Sequence, residues 1–262
     1  MVIKIFDEKF KIRVSLFIRQ ILEFDAISLG FVKNNGEANI NAYLNKLIPN
    51  LLKLKKEQRS AVLELAKKSA YIKIGKPEDI DNMVCDLIAI HDSVYFNDEE
   101  HDDCSETVWI RPTKENISVF DEIIESETEI TGLDKSNYIR NMLNEYSRFP
   151  KYKKEQIAFM DECHISLVAR DTRQILKFRY ENQLKSAYVF GCVYDYLQEQ
   201  GNYVLCYDMT SNIICRYQIS EISALNLLNK KHKPSEKIAT LCKEYLERAM
   251  WISDEIIEVE EE

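Results

Sequence analysis

The chain has 262 residues, with 35 Lys and Arg against 44 Asp and Glu, and a formal net charge of −9. That length suits one large domain or two to three small ones, and 45% hydrophobic residues exclude wholesale disorder. With 6 Gly and 5 Pro it is neither collagen-like nor a linker, and its apolar stretches fall short of the roughly 20 residues that span a bilayer.

Residues 9–17 alternate. Phe10, Ile12, Val14 and Leu16 stand against Lys9, Lys11, Arg13 and Ser15. A period of two predicts a strand with one apolar and one basic face. Helical spacing follows from Ile18 to Leu29, with Gly30 at its end. Asn34-Asn35-Gly36 is a turn signal. A second helix is predicted from about Asn39 to Lys56, with Tyr43, Leu44, Leu47, Ile48 and Leu51 on its apolar face and Pro49 placed to kink it. Ala61 to Ser69 can extend it, and Ile80 to Val94 reads as another helix. His91 and His101 are lone histidines, read as surface or structural groups, and Asp98 to Asp103 reads as a solvated acidic loop.

Thr107 to Pro112 then predicts a second short strand, Asn116 to about Glu127 a helix, and Asp134 to Arg148 another, with Asp134 or Ser136 as its N-cap. Strand, helix and helix thus occur twice, nearly a hundred residues apart. This pattern resembles the ribbon-helix-helix fold, in which two antiparallel strands present their outward side chains to the DNA major groove. The expected arrangement is a single-chain pseudo-dimer built from residues 9–56 and 107–148, with its two strands paired and a helical insertion between the halves. Two unrelated helical hairpins are the competing reading. On the first reading Lys9, Lys11, Arg13 and Arg111 form the basic ribbon face. Lys135 and Ser136 open a helix whose free N–H groups can hold a phosphate.

Pro150 to Arg170 reads as a connecting helix. After Asp171 the texture becomes β, in runs at 175–180, 187–194, 201–207 and 213–219, with a turn at Asn182-Gln183 and a bulge near Gly191. Residues 229–250 start with Lys230, Lys231, His232 and Lys233 and continue as a helix capped by Ser235. The tail from Glu258 to Glu262 is acidic and expected to fray.

The order of features over residues 151–225 resembles the WYL domain, an SH3-like β-fold named for a Trp-Tyr-Leu run. Here that run is Asn202-Tyr203-Val204, so only the Tyr is kept. Arg216 matches an Arg near the start of the family's next strand, whereas Ser220-Glu221-Ile222 departs from its apolar-Arg-apolar end. The resemblance implies nucleic-acid or nucleotide binding through Tyr203 and Arg216. Strand alternation and charge add Arg179 and Lys185.

The expected fold class is therefore α+β, divided into a ribbon-helix-helix-like region (1–150), a small antiparallel β-domain (151–228), and a C-terminal helix with an acidic tail (229–262). The combination resembles bacterial WYL proteins, among them the accessory proteins of type VI-D CRISPR systems. That likeness implies single-stranded RNA binding and stimulation of an RNA-guided RNA nuclease. A transcription regulator binding duplex DNA has the same architecture.

Charge is segregated in a way that suits a polyanion partner. Residues 1–76 carry 15 Lys and Arg against 7 Asp and Glu, and residues 77–130 carry 2 against 17. Tyr180, Tyr203, Tyr207 and Tyr217 are candidates to stack on unpaired bases. Seven cysteines with no Cys-x-x-Cys pair argue against a zinc knuckle. No catalytic motif is found, so no enzyme activity and no cofactor are expected. The N-terminus lacks a signal-peptide pattern, which predicts a cytoplasmic protein. Exposed β-edges permit a homodimer without requiring one.

Overall fold

The structure is a computed structural model and describes residues 10–73, 104–121, 132–194, 201–248 and 255–259. The predicted helix at 80–94, His91, His101, the acidic loop, Lys9 and the last three residues of the tail lie outside them. The chain forms two compact units, Met1–Arg148 and Phe149–Glu262. The architecture is mixed α and β with antiparallel sheets. Among the described residues no helix is long and apolar enough to cross a membrane.

In the first unit, β1 (Phe10–Val14) pairs antiparallel with β2 (Glu106–Ile110) in a two-stranded ribbon centred on Ile12 opposite Val108. Ile12, Val14, Val108 and Ile110 are buried, whereas Lys11, Arg13 and Trp109 are exposed. The strand is shorter than its alternation suggests. Ser15 leaves it and accepts a hydrogen bond from the Ile18 N–H as the N-cap of α1 (Leu16–Ser28). Leu16, expected on the apolar strand face, therefore sits in the first turn of a helix and is exposed.

The second helix, α2 (Ile40–Lys73), continues without a break through Pro49. A proline cannot donate to the carbonyl four residues back. That carbonyl belongs to Asn45, and it accepts instead from Asn116 Nδ2 at 2.6 Å. The segment after β2 is bound to the same turn. Asn45 Nδ2 donates to the Arg111 carbonyl at 2.8 Å, and the Thr113 N–H donates to Asn45 Oδ1 at 2.8 Å. Residues 117–121 are helical, and the rest of the helix predicted there lies outside the described residues. α3 (Lys135–Ser147) closes the unit.

The starts of α2 and α3 are built alike. Asn39 caps the Ala42 N–H, and Asp134 caps the Asn137 N–H. Two and six residues beyond each cap, a side chain grips backbone next to the ribbon. On α2 these are Asn41, which accepts from the Arg111 N–H, and Asn45. On α3 they are Ser136, whose hydroxyl donates to the Lys11 carbonyl at 3.2 Å, and Arg140, whose Nε donates to the Arg13 carbonyl at 2.6 Å. The buried positions match as well. Tyr43, Leu44, Leu47 and Ile48 stand at the same distances from their cap as Tyr138, Ile139, Met142 and Leu143. Between the helices, the Tyr43 and Tyr146 hydroxyls meet, and Tyr146 donates to Asp25 Oδ2 of α1 at 3.1 Å. Burial, with the Asp25 charge added, pushes both phenols above their ordinary range.

In the second unit, the connecting helix expected over 150–170 is two helices, α4 (Lys151–Ala158) and α5 (Met160–Thr172), separated at Phe159, whose backbone is not helical. A six-stranded antiparallel sheet follows in the order β7-β3-β4-β5-β6-β8. Its strands are β3 (Gln174–Tyr180), β4 (Gln183–Tyr194), β5 (Asn202–Asp208), β6 (Ile213–Gln218), β7 (Ser223–Lys231) and β8 (Ile257–Glu258). Glu181 and Asn182, both left-handed at φ 46° and 64°, make the tight β3–β4 turn, one residue earlier than predicted. The register shifts between Val189 and Gly191.

Two strands differ from expectation. Lys230 and Lys231 end β7 rather than lead into a helix, and Glu258 belongs to β8 rather than to a frayed tail. α6 (Glu236–Arg248) buries Cys242 and Tyr245 against Tyr203, Leu205, Tyr207 and Ile214. Glu155, fully enclosed, ties α4 to the sheet. Its Oε2 accepts from the Asn202 N–H at 2.6 Å and its Oε1 from Gln218 Nε2 at 2.9 Å.

Candidate nucleic-acid interface

The outward face of the ribbon carries four side chains in two facing pairs, Lys11 opposite Trp109 and Arg13 opposite Thr107. Trp109 is 52% exposed, a large apolar surface left in water. Lys11 Nζ stands 6.0 Å from the centre of its ring, at the outer limit of a cation–π contact. The alternation of β1 and β2 puts these groups outside because the opposite faces fill the core with Ile12, Val14, Val108 and Ile110.

A groove beside this face is lined by Lys11, Arg13, Asp134, Lys135, Ser136, Asn137 and Arg140. The structure thus brings together four of the residues predicted from sequence, Lys11, Arg13, Lys135 and Ser136. It also corrects the expected chemistry of the helix start. The Asp134 carboxylate already accepts from the Asn137 N–H at 2.8 Å and from Asn137 Nδ2 at 2.7 Å. A phosphate there would meet a fixed negative charge and a donor already used. The Ser136 hydroxyl is engaged with the Lys11 carbonyl. The positive charge of this groove is that of the Lys11, Arg13, Lys135 and Arg140 side chains.

Arg140 was missed in the sequence. Only its place six residues after the helix cap, the spacing that also holds Asn45, marks it. Arg111 is exposed but follows Ile110, which pairs with Phe10, so it sits at the opposite end of the ribbon from Arg13. Lys9 lies outside the described residues.

In the second unit the predicted set does not assemble into one site. Lys185 is buried, with Nζ 3.0 Å from Asp208 Oδ2 and 2.8 Å from Ser211 Oγ. Asp208 also accepts from the Thr210 N–H and the Tyr217 hydroxyl. Burial pushes its carboxyl up, but these three donors outweigh burial and hold it below its usual value. Lys185 is therefore a structural ion-pair partner and not a phosphate ligand. Tyr203 is buried, and the Arg216 guanidinium lies 4.1 Å from its ring centre. Tyr207 and Tyr217 are buried as well, and Tyr180 packs on Tyr217 at 4.7 Å between ring centres. These rings fill the core, so the expected base-stacking tyrosines are not a free platform. Of the four predicted residues of this unit, Arg179 alone is exposed.

A small cavity lies between α5 and the sheet, lined by Cys163, Ser166, Cys192, Asn202 and Tyr203 among others. Burial pushes the two thiols up to about 12 and about 11, so both are protonated at neutral pH and are poor nucleophiles and poor metal ligands. Among the described residues no group of three or more His, Cys, Asp or Glu is placed to hold a metal ion.

No protein-family model matches the chain, and no curated protein matches it in sequence. A solved structure described as "Crystal structure of a CRISPR Cas-related protein" has the same fold, with a TM-score of 0.67 at 13% identity over 95% of this chain and 73% of that one. At that identity the likeness is one of fold.

Proposed function

We propose that this chain is a nucleic-acid-binding regulatory protein that works in a CRISPR setting, where it binds single-stranded RNA and raises the activity of an RNA-guided RNA nuclease. It acts by binding rather than catalysis. On this reading the first unit is a single-chain ribbon-helix-helix-like module, and the second is a WYL-like β-domain. The paired β1–β2 ribbon and the matched starts of α2 and α3 support the first assignment, and the small antiparallel sheet supports the second. The CRISPR setting rests on the fold shared with the CRISPR Cas-related protein.

The observation that carries the choice of a single strand is Trp109. An exposed indole across the ribbon from Lys11, which lines the groove, offers a base-stacking surface beside phosphate-neutralising cations. The same indole would crowd the base edges of a duplex groove. The competing reading, a regulator that binds duplex DNA, draws on the outward Lys11 and Arg13 of a paired ribbon.

Polarisation titration of matched single-stranded RNA, single-stranded DNA and duplex DNA at two salt concentrations separates the two. Tight, salt-sensitive RNA binding, weakened roughly ten- to hundredfold by Trp109→Ala, is expected if the ring stacks on a base. Duplex preference that is indifferent to Trp109→Ala would hand the site to the DNA reading. A cleavage assay with a type VI-D nuclease, run with and without this protein, tests the stimulation.

A further inference from the structure

The strands at one edge of the second unit's sheet carry an unusual charge balance. Residues 173–180 and 222–235 include Arg173, Lys177, Arg179, Lys230, Lys231 and Lys233 and no Asp or Glu. Pairing brings the two segments together. Gln174 faces Lys231, Lys177 faces Asn226, and Arg179 faces Ser223. The His232 N–H donates to the Arg173 carbonyl at 3.0 Å.

Five of the six cations are exposed and Lys177 is half-buried. Among the described residues none of the six makes an ion pair, whereas Arg170, Lys185 and Arg248 of the same unit pair with Asp171, Asp208 and Glu255. The acids that flank the two segments in sequence are Asp171, Glu181, Glu221 and Glu236, and the first of these is held by Arg170.

Six like charges, four on two adjacent strands and two in the residues that flank them, repel one another, and a polyanion relieves that repulsion. Lysines on an edge strand also serve to discourage edge-to-edge aggregation. That explanation reaches Lys230 and Lys231 on β7. It does not reach Lys177 and Arg179, which lie on β3, an inner strand covered on both sides.

Lys177 and Arg179, two residues apart, share one face of β3 at a repeat of roughly 7 Å. Across from them on β4 stand Ser186 and Leu184, the latter 60% exposed. Further along that strand the half-buried Tyr188, which packs with one side on the core around Tyr207, meets the His232 ring at 5.3 Å. Burial and the neighbouring Lys230 keep His232 below its usual pKa, so it contributes a ring and not a charge at neutral pH. Cations beside apolar and aromatic side chains are the composition of a single-strand binding surface.

We propose that this β3–β7 edge is a second binding surface for single-stranded nucleic acid, which lays its backbone along Lys177, Arg179 and Lys230 and its bases against Leu184 and the half-buried Tyr188. The surface is independent of the ribbon.

The test uses the full chain and a short mixed-sequence RNA, titrated over a range of salt concentrations. Two variants are made, the double Lys177→Glu with Arg179→Glu and the single Lys230→Glu, and each is checked by thermal melting. Their Gln counterparts replace any that fail to fold. The double variant is expected to flatten the slope of log affinity against log salt by about 1.4, two contacts at about 0.7 each, and to weaken binding roughly tenfold at low salt, and the single variant is expected to flatten the slope by about 0.7. Unchanged slope and affinity in both would overturn the proposal. Lys11→Glu with Arg13→Glu reports on the ribbon separately, so either surface can fail without the other. Poly-glutamate binding as tight as RNA, lost in the same variants, would also overturn it and assign the edge to an acidic protein partner.

Discussion

Lys185 and Asp208 form an enclosed ion pair, and two expectations follow from it. Removing one partner of a buried pair strands the other charge, which typically costs about 3–5 kcal/mol. Lys185→Met should therefore lower the urea midpoint sharply, while Arg179→Met, on an exposed side chain, should leave it within about 0.5 kcal/mol of the parent. The pair also makes the second unit acid-sensitive. The Asp208 carboxyl lies below its unfolded value of 3.8. Its stabilising contribution is thus complete above that value and is lost as pH falls through the lower folded one. Stability measured by denaturant from pH 7 down to pH 3 should show this loss at the acid end, and the loss should shrink in Asp208→Asn. Residue type in the sequence misled here for a definite reason. A lysine on a β-strand reads as solvent-facing charge, and its neutralising partner arrives through the β4–β5 register, which puts Asp208 opposite Ala187. The tyrosines misled in the same way, since a phenol suits either a core or a surface.

At the level of elements, Pro49 and Asn116 act as one device. The proline frees the Asn45 carbonyl and the asparagine claims it. Asn116→Ala leaves that carbonyl without its donor and should cost about 1–3 kcal/mol. In a Pro49→Ala background residue 49 regains its N–H, and the same substitution should cost markedly less. A double-mutant cycle by chemical denaturation measures the difference, and strict additivity would refute the coupling. The sequence suggested a kink at Pro49, but no local rule could name a partner 71 residues from Asn45. Elements with one buried face were the legible ones. β1, β2, α1 and α3 were found to within a few residues because burial imposes a period. β7 was missed because as an edge strand it buries neither face fully, and Ser223–Lys231 shows no alternation. The break at Phe159 was missed because the apolar spacing of α4 continues into α5.

For the whole molecule, the two units are each closed by their own networks. Asp25, Tyr43 and Tyr146 lock the first. Glu155, Asn202 and Gln218, together with the Lys185–Asp208 pair, lock the second. A fragment spanning residues 149–262 should consequently fold alone, with a cooperative thermal transition and a β-rich circular dichroism spectrum. A fragment that stays unfolded would show that the second unit depends on the first.

A ribbon made from two identical strands looks the same from either end. This ribbon is not of that kind, because one strand supplies Lys11 and Arg13 and the other supplies Thr107 and Trp109. With its cations along one side and its indole on the other, the surface has a head and a tail. On the proposed function, a nucleic-acid strand lying across it would be held in one direction, and the protein would distinguish 5′-to-3′ from its reverse before reading any base.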